Sequence, residues 1–405
     1  MAKSTFYGYR IVAAGFTIQM MYLGSVYTFG ALFPEFEKEF GWSRASIAGA
    51  ASLFFLIFGS FGIVVGSASD RFGPRIVLTA CGIVFSIGFL LLHRVNELWQ
   101  LYLFYGVLGG LGMAAHEVAT LSTIARWFKK NRGLMSGIVK AGSGIGQAFI
   151  PLVAATLIAD YGWRSSCFII GITSLVVMVL AAQYFRKDPT EIGLKAFGED
   201  DKNEKNFAPS QGSLPFKAVL KSRPFWILSL SKFADMFCLF TIITHIVPHG
   251  IDQGLASPVS ITVLSSIGAS SILGRLIFGM GYDLLGPRHS LMICFFTLLV
   301  SFVIIQTIPD PKLLFLFAFI YGIAHGGFFA IASPSIADYF GTKSHGIIFG
   351  IVLFCGTLGG TIGPLTAGRV FDITKSYDIT FITVSGAAIF GLALAYHLQN
   401  PVRTT

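Results

Sequence analysis

The chain has 405 residues, of which 54% are hydrophobic and only 12% are charged, and its formal net charge is +9. A soluble domain contains about 25% charged residues, so this composition excludes an ordinary soluble enzyme or a nucleic-acid-binding domain. Apolar stretches of about 20 residues, the length that crosses a bilayer as a helix, recur along the whole chain. The sequence therefore predicts an all-α protein embedded in the lipid bilayer, and its basic residues are expected to set loop topology.

Twelve transmembrane helices are expected, in two sets of six. The first set falls near 11–33, 45–68, 76–93, 98–124, 133–158 and 164–185, and the second near 225–248, 259–281, 289–308, 312–336, 346–368 and 379–398. We predict an N-terminal six-helix bundle (1–185), a charged and solvated cytoplasmic linker (186–223) and a C-terminal six-helix bundle (224–405). Basic residues concentrate in alternate loops, on the side of the linker, so both termini are expected to be cytoplasmic.

A constant offset relates the two sets of helices. The segment Gly66-Ser-Ala-Ser-Asp70-Arg71-Phe-Gly73-Pro-Arg75 returns 213 residues later as Gly279-Met-Gly-Tyr-Asp283-Leu-Leu-Gly286-Pro-Arg288. The same offset carries Gly137 to Gly350 and Pro151 to Pro364. The chain therefore consists of two homologous halves in the same orientation, and such parallel repeats place a substrate site between them near the midplane.

This glycine-spaced acidic and basic turn, with a degenerate second copy, resembles the signature of the major facilitator superfamily. The resemblance implies twelve helices in two pseudo-symmetric halves and a gate latch formed by Gly66, Asp70, Arg71, Gly73, Arg75, Gly279, Asp283 and Arg288. The local chemistry agrees, because glycines let helix ends approach and an aspartate can pair with an arginine or cap a helix across the turn.

Three further segments resemble the monocarboxylate transporters and the oxalate:formate antiporters. They are the His-x-x-Pro segment that begins at His245, Arg126-Trp-Phe-x-x-x-Arg132-Gly133, and Gly363-Pro364-x-x-x-Gly368. The resemblance implies that Arg275, in the eighth predicted helix, binds a carboxylate. Ser271 stands where many proton-coupled members carry an aspartate or asparagine, and the eleventh predicted helix lacks the second cation of the oxalate exchangers.

Charges inside the apolar stretches mark the candidate substrate site. Arg275 lies roughly 12 Å into its helix from Asp283. A charge at that depth is costly and usually functional, although an arginine can also snorkel to the surface. Lys140 lies roughly 11 Å deep in a glycine-lined helix, and we expect it to reach the same anion as Arg275.

Two carboxylates and a histidine are candidates for proton coupling. Glu117 and Asp235 lie roughly 14 Å deep, where an unpaired carboxylate takes up a proton more readily. Paired with a buried cation, either would stay ionised and exchange partners when substrate enters. The alternatives are a local pair of Asp235 with Lys232 and a structural pair for Glu117 within its own half. His116 could also take a proton near neutral pH.

The function expected from these features is secondary active transport of small organic anions by alternating access, as proton-coupled symport of a monocarboxylate such as lactate or pyruvate. The predicted substrate-binding residues are Arg275, Lys140, His245, Ser271, Tyr22, Phe329 and Phe354. The alternatives are a carboxylate or dicarboxylate exchanger and, more remotely, a non-transporting receptor.

Neither an enzyme nor a bound cofactor or metal is expected, because the loops contain no catalytic triad, metal cluster or cofactor motif. The five cysteines each lie in an apolar stretch and are expected to be reduced. Compact loops without an Asn-x-Ser/Thr site predict a prokaryotic plasma or inner membrane, and the chain is expected to function as a monomer.

Overall fold

The computed structural model describes residues 6–42, 44–199, 215–307 and 313–399, so residues 200–214 of the predicted linker lie outside the described residues. Within these ranges the chain forms helices and no strand, and one isolated parallel β-bridge joins Phe128 and Phe197. The α-helices are α1 (Gly8–Tyr27), α2 (Phe29–Phe40), α3 (Arg44–Phe72), α4 (Pro74–Leu92), α5 (Leu98–Leu101), α6 (Gly110–Met113), α7 (Ala115–Trp127), α8 (Arg132–Ala182), α9 (Phe216–Lys221), α10 (Arg223–Asp252), α11 (Ser257–Thr307), α12 (Leu313–Phe340), α13 (His345–Thr374) and α14 (Asp378–Tyr396).

Ten helical stretches of the described chain are long and apolar enough to cross a membrane. Two of them, α8 and α11, contain 51 residues each, although one span needs only about 20. Each is interrupted by a glycine in a backbone conformation that other residues rarely adopt, Gly162 (φ 76°) in α8 and Gly286 (φ 77°) in α11. Because each side of these glycines is long enough for one span, the ten stretches accommodate twelve spans. The count of twelve and the cytoplasmic termini stay predictions.

The fourth predicted helix is not regular. A π-helical segment, Tyr102–Gly109, lies between α5 and α6, and α7 follows after a further break. Glycines on this stretch pack directly against α3: a methyl group at Gly110 would lie 2.7 Å from the Phe54 carbonyl oxygen. Such irregular turns often occur at functional sites. Here the stretch leads directly into α7, which carries two of the candidate coupling residues.

The chain packs as two compact units, and the predicted halves stay a prediction. Unit 1 comprises Met1–Lys130, Ile138–Asp201 and Thr342–Gly350, and unit 2 comprises Asn131–Gly137, Lys202–Gly341 and Ile351–Thr405. The first turns of α13 therefore pack with unit 1, and the first turns of α8 pack with unit 2.

The first part of the predicted linker is not solvated throughout, because it docks onto the end of α7. The Phe197 amide donates to the Trp127 carbonyl oxygen at 2.9 Å. The Phe197 carbonyl oxygen in turn accepts from the amides of Lys129 and Lys130, both at 3.0 Å. The Phe197 ring also lies 5.9 Å from the Phe128 ring. These contacts fix residue 197 on unit 1.

Candidate functional site

Asp70, at the end of α3 in unit 1, caps the first turn of α13. Its two carboxylate oxygens accept hydrogen bonds from the amides of Gly346 and Ile347, both at 3.1 Å. It also forms an ion pair with Arg126. The close approach depends on Gly66, where a methyl group would lie 2.2 Å from the Gly346 carbonyl oxygen. A carboxylate at the N-terminal end of a helix is stabilised by the helix dipole as well as by the two hydrogen bonds.

Asp283 makes the equivalent contacts in unit 2. It accepts hydrogen bonds from the amides of Gly133 at 2.8 Å and Leu134 at 2.9 Å, in the first turn of α8. A methyl group at Gly279 would lie 2.7 Å from the Gly133 carbonyl oxygen. The amide donors in the two units are related by the same 213-residue offset that relates Asp70 to Asp283. The repeat found in the sequence therefore recurs in the contacts.

The other residues of the gating motif lie around these two caps. Gly73 (φ 88°) ends α3 and allows the chain to turn into α4. The basic residues contact neighbouring side chains: Arg75 Nε donates to Gln183 Oε1 at 2.8 Å, the Arg71 guanidinium lies 5.1 Å from the Phe72 ring centroid, and that of Arg288 lies 5.3 Å from the Tyr396 ring centroid. A gating role for the motif stays a prediction.

A buried ion pair that was not predicted lies in unit 2. Arg132 pairs with Asp338, and the Tyr282 hydroxyl donates to the second oxygen of Asp338 at 2.6 Å. Asp338 lies near the end of its apolar stretch, so its burial was not predicted from the sequence. The signal available was Arg132 itself, which belongs to one of the segments that resemble the monocarboxylate transporters.

Arg275 lies in a cluster of charged and aromatic side chains in unit 2. Arg275 is only 2% exposed, so its side chain is buried and does not snorkel to the surface. Its guanidinium carbon lies 5.6 Å from the Phe329 ring centroid, and Lys232 Nζ lies 4.6 Å from the same centroid. Lys232 Nζ also binds Asp235 Oδ2 at 2.7 Å, which is the local pair considered as an alternative. We term Arg275, Lys232, Asp235 and Phe329 the cationic cluster, since together they carry one net positive charge.

Close packing of α11 against α12 holds Arg275 beside Phe329. A methyl group at Gly326 of α12 would lie 2.0 Å from the Ser271 carbonyl oxygen and 2.9 Å from the Arg275 amide nitrogen. A methyl group at Gly274 would lie 2.1 Å from the Ile323 carbonyl oxygen. Small residues on both helices thus let the two backbones touch. Ser271, one turn before Arg275, donates its hydroxyl to a carbonyl oxygen of its own helix at 2.7 Å.

The second buried lysine lies in unit 1 and pairs within it. Lys140 Nζ binds Glu117 Oε1 at 2.5 Å, and both residues are at least 95% buried. Gln19 Oε1 lies 3.5 Å from the same ammonium, and Gln19 Nε2 donates to the His116 carbonyl oxygen at 2.8 Å. Glu117 therefore makes the pair within its own half that was the alternative to a coupling role. That Lys140 and Arg275 share one anion stays a prediction.

Tyr22 and His116 pack beside this ion pair. Their rings lie 5.7 Å apart, and the Tyr22 ring meets Phe85 edge to face at 4.8 Å. His116 Nδ1 lies 3.0 Å from the Met113 carbonyl oxygen, within the same helical turn. Their proposed substrate and proton roles stay predictions.

His245 lies elsewhere on α10, roughly 15 Å along the helix from Asp235. Its Nε2 is 3.1 Å from the Pro364 carbonyl oxygen, and its Nδ1 is 3.3 Å from the Tyr377 hydroxyl. The structure thus places it at the junction of α10 with α13 and not in the cationic cluster. Phe354 is half-buried on α13. No group of three or more His, Cys, Asp or Glu side chains in the described chain could hold a metal ion.

The chain is similar to known transporters along most of its length. The family model described as Major Facilitator Superfamily matches residues 15–282 and 259–405. Monocarboxylate transporter 13 of Rattus norvegicus is 28% identical, over 97% of this chain and 89% of that protein. MFS-type transporter 1 of Ophiocordyceps sp. is 26% identical, over 96% of this chain and 85% of that protein.

A solved structure shares the fold. The crystal structure of the human organic anion transporter MFSD10 superposes with a TM-score of 0.73 at 15% identity, over 96% of this chain and 99% of that chain. These proteins come from eukaryotes, so the comparisons do not support the prokaryotic source that the compact loops predicted.

Proposed function

The chain belongs to the Major Facilitator Superfamily and is a multi-pass membrane transporter, not an enzyme, and we propose that it carries small monocarboxylates such as lactate or pyruvate together with a proton. The observation that carries this proposal is the burial of Arg275 in the cationic cluster. The similarity to proteins named monocarboxylate transporters supports the same substrate class.

Arginine suits this task because its guanidinium stays charged and can bind both oxygens of a carboxylate in one plane. Phe329 presents an apolar ring next to that charge, which suits a small anion with a short apolar end. The net positive charge of the cationic cluster favours an anion over a neutral molecule. Ser271 supports the helical turn that carries Arg275.

Proton coupling is assigned to the buried carboxylates. Asp235 and Glu117 each bind a lysine ammonium, and either carboxylate becomes neutral if an entering anion takes over its lysine. His116 is a further candidate, since it lies next to Glu117 in the chain and in unit 1. Each role requires that the ion pair exchange partners during the cycle.

The gating motif is proposed to let this cycle proceed. Asp70 and Asp283 each cap a helix through two amide hydrogen bonds. A helix cap contributes about 0.5–2 kcal/mol, which is small enough to break and re-form on each turnover. Both caps would open when the protein changes the side from which substrate enters.

A second candidate is exchange of carboxylates or dicarboxylates without a proton. The observation that favours it is that two cations, Lys232 and Arg275, lie against one aromatic ring. A dianion would satisfy both.

The test is uptake of labelled lactate and pyruvate into proteoliposomes, with and without an inward proton gradient. Arg275→Lys keeps the charge and removes the planar fork, so we expect uptake to fall at least tenfold, and Arg275→Gln should abolish it. Arg94→Gln is the matched control, because this arginine is exposed and lies outside the proposed site.

Three results would change the assignment. Full uptake by Arg275→Gln would remove Arg275 as the carboxylate ligand. Uptake that ignores the gradient and requires an internal anion would identify an exchanger. Failure of the wild-type protein to take up either acid would refute the monocarboxylate class.

A further inference from the structure

We propose that Lys232 is a second cationic contact for the substrate carboxylate, and that Asp235, its ion-pair partner, takes up the coupling proton when the substrate binds. This inference rests on the proposed function and deepens it. It names the ion pair that the anion opens and the carboxylate that takes up the proton.

The first observation is that two cations converge on one ring. Lys232 Nζ and the Arg275 guanidinium carbon lie 4.6 Å and 5.6 Å from the Phe329 ring centroid. The two charged groups therefore lie no farther apart than the sum of these distances. A carboxylate bound to Arg275 would meet Lys232 through a rotamer change of the flexible lysine side chain.

The second observation is a cavity beside Lys232. Its walls come from four helices of unit 2 and are mostly apolar: Leu228, Ser231, Lys232, Leu291, Phe328, Ile331, Ala332, Ser335, Ile336 and Val352. The hydroxyl of Ser231 is buried and makes no hydrogen bond to any described residue. A buried hydroxyl in that state is costly unless a ligand or water satisfies it. The cavity thus offers an apolar wall for a short side chain and one polar contact for the 2-hydroxyl or 2-oxo oxygen of lactate or pyruvate.

The third observation concerns charge. The cationic cluster contains two cations and one carboxylate. If a monocarboxylate enters alone, two carboxylates compete for Lys232, and the close like charges favour protonation of one of them. The charges of one bound anion and one bound proton cancel, so the net charge of the cluster does not change. The substrate carboxylate then takes the ammonium, and the proton goes to Asp235.

The surroundings of Asp235 are compatible with this role. Lys232 is its partner on α10, Cys294 of α11 and Tyr321 of α12 lie within electrostatic range, and Arg275 contacts the same Phe329 ring as Lys232. The His325 ring, on α12, contacts the same phenylalanine at 4.8 Å. None of these neighbours supplies a second carboxylate.

The experiment separates coupling from binding in proteoliposomes with labelled lactate. One measurement is the accumulation ratio under an inward gradient of one pH unit, which reaches about tenfold for one proton per anion. The other is lactate exchange at equal pH, which needs no net proton movement. Asp235→Asn should retain exchange within about threefold of wild type while its accumulation ratio falls to about one. A merely structural defect would lower both.

The lysine is tested in a double variant that removes both charges of the pair. Lys232→Met alone would remove the ammonium that Asp235 binds, and Asp235→Asn alone leaves that ammonium without its carboxylate, so each single change is destabilising. Lys232→Met combined with Asp235→Asn removes both charges, and we expect its KM for exchange to rise at least tenfold above that of Asp235→Asn. Melting temperatures in detergent establish that both variants are folded.

Each result decides a different point. The inference is overturned if Asp235→Asn still accumulates lactate tenfold. It is also overturned if Glu117→Gln, and not Asp235→Asn, loses accumulation. An unchanged KM in the double variant removes Lys232 from the anion site. Glu39→Gln, which deletes the carboxylate of an exposed ion pair, is the control and should accumulate lactate like wild type. Absence of uptake by the wild-type protein refutes the proposed function itself. This result is distinguishable from failure of the inference on Lys232 and Asp235, because it is observed without any variant.

Discussion

Adding one methyl group at Gly326 should displace Arg275 from its position over Phe329. The added carbon would lie 2.0 Å from the Ser271 carbonyl oxygen and 2.9 Å from the Arg275 amide nitrogen. Both neighbours are backbone atoms of α11, so no side-chain rotation can relieve the contact. An ordinary contact begins near 3.4 Å, and α11 and α12 must therefore separate by about 1.4 Å, the difference between 3.4 and 2.0 Å, at the turn that carries the arginine.

The size of the effect follows from packing and from geometry. Forcing extra volume into a close-packed contact costs about 1–3 kcal/mol, which outweighs the gain of up to about 1 kcal/mol from replacing a helical glycine by alanine. A displacement of about 1 Å in a binding constellation can reduce its efficiency by about 100-fold. We therefore expect Gly326→Ala to lower the melting temperature and to raise the KM for lactate by at least tenfold.

The assay compares Gly326→Ala with a control on the same helix pair. Gly268→Ala on α11 adds the same methyl group where nothing lies within 4 Å, so it should leave KM close to wild type and the melting temperature equal to or slightly above it. Thermal unfolding in detergent and lactate uptake into proteoliposomes provide the two values. If Gly326→Ala matches Gly268→Ala in both, then backbone contact between α11 and α12 does not position Arg275.

Three other changes test the remaining contacts. Lys140→Met should destabilise the protein by about 3–5 kcal/mol, because it removes the ammonium that buried Glu117 binds, and adding Glu117→Gln should restore part of the loss; equal melting temperatures for the single and double variants would contradict a buried ion pair. Asp283→Ala removes the acceptor for two amides at the start of α8 and should cost about 0.5–2 kcal/mol in thermal unfolding; an unchanged melting temperature would show that this cap adds nothing to stability. The pKa of Glu39 is lowered mainly by the hydrogen bond from Arg164. This hydrogen bond therefore stabilises the folded protein at pH values above the ordinary pKa of glutamate. The stabilisation is lost as the pH falls through the lowered pKa of Glu39. Glu39→Gln should therefore flatten the acid side of the stability profile, and superimposable acid limbs would refute that contribution.

The repeat was the most informative feature of the sequence, because it anticipated contacts as well as elements. Asp70 and Asp283 stand at equivalent positions of two similar segments, and each caps a helix with two hydrogen bonds. The motif predicted a cap across the turn, because it fixes a helix end, a tight turn and a carboxylate within ten residues. It did not identify α13 and α8 as the helices that are capped. A charge within an apolar stretch was equally informative, since its cost in the membrane requires compensation nearby.

The partners of the charges were harder to predict. Lys232 could be paired with Asp235 from their spacing alone, but its contact with Phe329 depends on how closely α12 approaches, which no local pattern encodes. Phe197 was hidden for a different reason. It is one aromatic residue in a strongly charged stretch, and nothing in that stretch indicates that it contacts the end of α7. Local chemistry is thus readable from one sequence, whereas helix-to-helix distance is not.

The two units differ in charge at positions that the repeat makes equivalent. The 213-residue offset carries Gln19 to Lys232 and Tyr22 to Asp235. The buried ion pair beside Gln19 consists of one lysine and one glutamate and is neutral, whereas the cationic cluster around Lys232 has two cations and one carboxylate. The equivalence is limited to these two positions, because the same offset carries Glu117 to Ala330 and Lys140 to Leu353. Because a desolvated anion is stabilised by cations that can pair with it, the two cations beside Phe329 support the proposal of anion binding in unit 2.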